Sequence, residues 1–183
     1  FNISGYRRTS QIVEDKIYIP EHRGTALEII DTTNNTVTTY DNFFNANRWR
    51  YTSQFVDDKI YIPHDGGTAL EIIDTTNNTV TTLPSFFNAR RNRSTSQLVG
   101  TKIYIPENGD TGLDIIDTTT NTVTTIDSFF NTSRGRYTSQ PVDTKIYIPE
   151  YNGTALEIVS FPNLTANTLP VRNNTETQRR QVS

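Results

Sequence analysis

Four arginines fall in phase, Arg7, Arg50, Arg93 and Arg136, each 43 residues after the last. Arg48, Arg91 and Arg134 add a second row in three of the four places. A planar guanidinium can hold a carboxylate or sulfate through two parallel hydrogen bonds. If both rows share one surface, they form a basic ring for sulfated or carboxylated sugars. Trp49 could then stack on a sugar ring, although Tyr6, Asn92 and Gly135 replace it in the other repeats. The competing reading pairs the arginines with Asp31, Asp74 and Asp117, or with the acids of the "LEI" segments, between adjacent repeats. Charge balances within each repeat, which favours that pairing.

Other chemistry is thinner. His22 and His64 are the only histidines and are out of phase by one residue, so no repeated histidine metal site is expected. No nucleophile elbow supports a Ser-His-Asp arrangement. Glu21, Asp65, Glu107 and Glu150 place about one acid per repeat in the same loop, where a cation could sit, although a solvated rim is the simpler reading. No metal and no cofactor are expected. The clearest chemical signal is the set of Asn-X-Ser/Thr acceptors for N-glycosylation, at Asn2, Asn34, Asn77, Asn92, Asn131, Asn152, Asn163 and Asn173. Asn34, Asn77 and Asn163 share one turn of the repeat, the kind of exposed site a bulky glycan fits; Thr120 interrupts that series.

Composition removes several classes. Seventeen Lys and Arg against twenty acids give a net charge of -3, so no nucleic-acid partner is expected. No apolar run reaches the ~18 residues of a membrane-spanning helix. With no cysteine there is no disulfide or thiolate chemistry, and the redox compartment stays open. The lack of Met behind Phe1 is what a processed chain, or a piece of a longer one, shows.

The elements that must position these residues follow from the repeat. Gln11, Gln54, Gln97 and Gln140 mark a gapless 43-residue period, and "KIYIP" recurs in each. Within one period "TSQFV" and "KIYIP" flank an acidic turn, and "TALEIID" and "TVTTL" flank "TTNN", so each period reads as two hairpins. Four short strands in this length match one propeller blade, and strands covered on both faces explain the unbroken Ile-Tyr-Ile and Ile-Ile runs. A stacked β-solenoid repeats faster and needs fewer tight hairpins. The expected fold is all-β, a β-propeller built from four 43-residue four-stranded blades over residues 1–172, with a polar C-terminal tail over 173–183.

The pattern "KIYIP...GTALEIIDTTNNTVTT" resembles the YVTN type of propeller repeat, throughout all four periods except the second half of the fourth, where Ser160 stands in place of Asp31, Asp74 and Asp117. That resemblance implies a secreted or cell-surface protein and fixes no reaction. Near-identical repeats suit rigid repeated contact surfaces, whereas catalysis normally breaks repeat symmetry, and the one break noted lies at the C-terminal end. The expectation is therefore an extracellular N-glycosylated scaffold subunit of a surface assembly or filament, not an enzyme, with copies of itself as partner. The alternative is a carbohydrate-binding lectin or adhesin that uses the inter-blade loops, with glycans as partners.

Overall fold

The computed structural model describes residues 5–161 and 165–170, with only the backbone described for 167–170. Each repeat folds as one four-stranded antiparallel sheet, in sequence order from inside to outside. The first holds β1 (Gln11–Val13), β2 (Lys16–Pro20), β3 (Leu27–Asp31) and β4 (Thr36–Tyr40). The second holds β5 (Gln54–Val56), β6 (Lys59–Pro63), β7 (Leu70–Asp74) and β8 (Thr79–Leu83). The third holds β9 (Gln97–Val99), β10 (Lys102–Pro106), β11 (Leu113–Asp117) and β12 (Thr122–Ile126). The fourth holds β13 (Gln140–Val142), β14 (Lys145–Pro149), β15 (Ala155–Ser160) and β16 (Thr165–Pro170). Among the described residues no helix is long and apolar enough to cross a membrane.

Two turn types build the hairpins. Asp57 and Asp58 both take positive φ, 47° and 59°, the type I′ pattern that matches strand twist. Glu14, Gly100 and Asp143 carry the positive φ alone in their turns, at the first central position as in type II′. At the second hairpin the left-handed residue is Asn35, Asn78 or Asn121, which tolerate it through their short polar side chains. Asp31 accepts the Thr33 N–H at 2.9 Å and Asn34 accepts the Thr36 N–H at 2.9 Å, which pins the turn. The expectation that Asp31, Asp74 and Asp117 pair with arginines is overturned: Asp31 and Asp74 cap this turn, and Asp117 caps it while meeting Lys102 at 2.7 Å.

Apolar residues fill the spaces between sheets. Ile60 and Ile62 of β6 pack on Tyr18, Leu27, Ile29 and Phe44 of the preceding repeat. Tyr61, between them, faces the other way and packs with Leu70 and Phe87 against Ile103 and Ile105 of the next repeat. A third layer joins Tyr104, Leu113 and Phe130 to Ile146, Ile148 and Val159. The Ile-Tyr-Ile run is thus apolar throughout because both faces of the strand are covered. Polar bonds follow the same step: Thr9 meets the Ser53 hydroxyl at 2.6 Å and Gln11 donates to the Ser53 carbonyl at 2.8 Å. Thr52 and Gln54 repeat this with Ser96, and Thr95 and Gln97 with Ser139.

The series stops there. The side chains of Thr138 and Gln140 are exposed and make no such bond among the described residues, and Ser10, which holds the place of Ser53, is exposed at the opposite end. Ile12, whose counterparts Phe55 and Leu98 pack into the first two layers, and Val142, whose counterparts Val13, Val56 and Val99 pack into all three, stand 70% and 50% exposed. The four blades therefore form an arc with two open end faces, and the sheets do not close into a ring.

Candidate functional site

The in-phase arginines are interior residues. Arg50 donates to Glu71 through Nε at 2.6 Å and Nη2 at 2.9 Å, and its guanidinium lies 3.8 Å from the centre of the Phe44 ring. Its remaining donors reach the carbonyls of Gly24 at 2.8 Å and Ala46 at 3.1 Å, which ties the linker to the preceding blade. Arg93 over Phe87 meets Asp114, and Arg136 over Phe130 meets Glu157. Arg7, less deeply placed, meets Glu28. The basic-ring expectation fails for Arg50, Arg93 and Arg136, because a buried guanidinium is stable only when its charge and donors are fully paired. Their partners are the "LEI" acids of their own repeat.

The second row is uneven. Arg91 pairs with Glu107, and Arg134 with Glu150 at 2.7 Å. In the second blade His64 stands where the others carry glutamate, and Arg48 keeps only the 3.4 Å approach to Glu71. Glu21, Glu107 and Glu150 each accept a backbone N–H across their loop, from Ala26, Gly112 and Ala155. His64 makes no such bond; its Nδ1 is buried without a partner against Gly67, where any Cβ would collide with it. Burial, with Arg48, Arg50 and Arg93 nearby, pushes the imidazole down to about 4. The glutamates of this loop are thus bound to the protein, and among the described residues no group of three potential metal ligands forms.

One rim of the blades gathers columns that differ in every repeat. The loops after β2, β6, β10 and β14 bond back to the segments that enter the innermost strands: His22 N–H to the Tyr6 carbonyl at 2.8 Å, Asp65 to Trp49 at 2.9 Å, Asn108 to Asn92 at 2.9 Å, Tyr151 to Gly135 at 2.9 Å. All eight of these residues occupy two columns of the repeat in which no two blades agree. A third column beside them holds Arg8, Tyr51, Ser94 and Tyr137. His22 meets Tyr51 edge-on at 4.5 Å, Tyr137 meets Tyr151 at 4.7 Å, and Arg23 lies 4.3 Å over the Trp49 ring. A cavity of about 160 Å³ is lined by Trp49, Tyr51, Asp65, Asn92, Asn108 and Tyr137. A neighbouring one of about 250 Å³ shares Trp49 and Asp65 and adds Asn47, His64 and Gly66. This rim was legible as a second break in repeat symmetry, besides the C-terminal one, had the columns been compared one by one.

The glycosylation acceptors divide by end. Asn34 and Asn77 are exposed in the β3–β4 and β7–β8 turns, at the end opposite the rim. Asn92, Asn131 and Asn152 are exposed at the rim end. Asn2, Asn163 and Asn173, with the tail 173–183, lie outside the described residues.

No family model matches this chain, and no curated protein does. Solved structures do. YjhT superposes with a TM-score of 0.73 at 16% identity, over 93% of this chain and 67% of its own. A streptogramin B lyase gives 0.74 at 10% identity, over 92% and 55%, and the WD40 domain of Neurospora crassa Pan2 gives 0.66 at 11%, over 90% and 52%. These are β-propeller proteins, so the four sheets are blades of a propeller repeat fold. The chain spans between about half and two-thirds of their length. At such identities the likeness shows the fold alone, and the YVTN resemblance gains no family match. The expectation that the chain is not an enzyme does not stand: a lyase shares this fold, so the architecture accommodates catalysis, without making this chain an enzyme.

Proposed function

We propose that this chain is a scaffold unit of an extracellular, N-glycosylated surface assembly, joined end to end through its two open faces. The observation that supports this reading is their match. The face exposed on the fourth blade presents Thr138, Gln140, Val142 and Tyr147, the same columns that cover the next blade at each internal junction. The face exposed on the first blade presents Ser10, Ile12 and Ile17, the columns that receive them. A second copy is thus offered the contact the chain already makes three times with itself. Such a head-to-tail contact gives a ring if the rotation closes and a fibre if it does not.

Sedimentation velocity and negative-stain microscopy of the 183-residue chain test the reading. Concentration-dependent rings or fibres are expected, and Ile12→Glu, at a side chain already in water, should dissolve them. A chain that stays monomeric at every concentration sinks the scaffold role.

A further inference from the structure

We infer that the variable rim around Trp49 is a binding site for a neutral oligosaccharide. The inference stands on different residues from the end faces and does not require assembly.

Three observations meet at this place. The "KIYIP" and "TTNNTVTT" segments are close to exact in the first three repeats, yet the columns of Trp49 and Asp65 hold four different residues each, and they lie side by side at one rim. Second, six large hydrophobic side chains are the most exposed among the described residues, and they sort into two groups. Ile12 and Val142 belong to the end faces; Tyr6, Trp49, Tyr137 and Tyr151 all lie on the rim. The rim set is wholly aromatic and carries polar tips, which suits the apolar face of a pyranose better than an aliphatic peptide side chain.

The third observation selects the ligand's charge. Asp65 is 5% exposed and lines both cavities. One of its oxygens accepts the Arg93 N–H at 2.5 Å, and the other, which is not sealed from water, accepts no hydrogen bond from the described residues. In the third blade the same position is Asn108, whose Oδ1 accepts the Arg136 N–H at 2.8 Å while its Nδ2 donates to Ser94 at 3.0 Å. Asn108 has both polar atoms paired within the protein, whereas Asp65 keeps one oxygen free for a donor in the cavities that it lines. A sugar hydroxyl supplies one, whereas a sulfate or carboxylate would bring a second negative charge to a buried acid. The sugar ring rests on Tyr137 and on Trp49 from the cavity side, Arg23 lying over the Trp49 ring outside that lining, and a hydroxyl at its edge donates to Asp65.

The chain has one tryptophan, so its emission reports this site alone. The titration is run on the Ile12→Glu chain, to keep assembly out of the signal, with maltotetraose, cellotetraose, mannotetraose, chitotetraose and, as the acidic probe, tetragalacturonate. The expected result is a saturable change in Trp49 emission with at least one neutral sugar and none with tetragalacturonate. Losing one hydrogen bond to a charged group weakens binding about tenfold or more, and this is expected in Asp65→Asn, which reproduces the third blade's residue. Tyr137→Ala, at an exposed ring, should weaken it similarly. The inference is overturned if no neutral tetrasaccharide changes the emission at millimolar concentration, if the acidic probe binds best, or if both variants bind as the parent does.

Discussion

Arg50 and Glu71 share two charge-assisted hydrogen bonds, at 2.6 and 2.9 Å, with side chains 0% and 1% exposed. The pair sits where one blade ends and the next begins, and Phe44 covers the guanidinium. Removing one partner leaves an uncompensated buried charge, which costs about 3–5 kcal/mol. Arg50→Ala should therefore lower the urea midpoint sharply. The double variant Arg50→Met with Glu71→Leu should recover part of the loss, because neither charge of the pair is then stranded, while Arg48 loses its approach to Glu71 and the carbonyls of Gly24 and Ala46 lose their donor.

Tyr61 and Tyr147 occupy one column with different fates. The Tyr61 hydroxyl donates to Asn121 Oδ1 at 3.0 Å across a blade junction, while Tyr147 faces the open end. Tyr61→Phe should cost about 0.5–1.5 kcal/mol in a denaturant titration, and Tyr147→Phe nothing in the monomer. In the assembled state the order changes: Tyr147→Phe should weaken association.

Acid should loosen the second blade through His64. The unfolded histidine takes up its proton near pH 6.5, the folded one only near about 4. Its contribution is complete above the unfolded value and is lost as pH falls from there towards the folded value. The side chain is only half-buried, so solvent screening limits the loss to about 1–2 kcal/mol. His64→Glu, which restores the residue of the other blades beside Arg48, should flatten the dependence when urea midpoints at about pH 7 and about pH 5 are compared.

Expression through a eukaryotic secretory pathway checks the glycan reading. Asn34 and Asn77 stand in exposed turns and should carry endoglycosidase-sensitive mass. Thr120→Asn should add one further glycan, because it completes the same turn in the third blade. Unmodified Asn34 and Asn77 would leave the extracellular reading without its main support.

Much of the fold was legible because the punctuation is local. Acidic pairs, "TTNN" and the proline after Ile-Tyr-Ile set turns and strand ends within a few residues of themselves. The burial of Arg50 was harder to see, since it depends on Glu71, twenty-one positions away, and on Phe44 lying beneath it. A long amphipathic side chain reads as surface until both partners are placed. Closure was not legible at all: the angle between neighbouring blades is set by the volumes packed at the junction, such as Tyr61 against Ile103, which leave no periodic trace. The rim was hidden differently. His22 and Asp65 stood out singly, as a histidine and a loop acid, but that they share one column with Asn108 and Tyr151 shows only where the repeat fails.

The open arc also governs how the chain comes apart. The second and third blades are each held by two packed layers, the first and fourth by one. Where units touch only their neighbours, stability is close to a sum over junctions, and loss begins at the ends. Amide protons of β6 and β10 should therefore exchange last, and those of β2 and β14 should follow a lower-energy opening. Capping either end, with a further blade or another copy, would turn a fraying arc into a single cooperative unit.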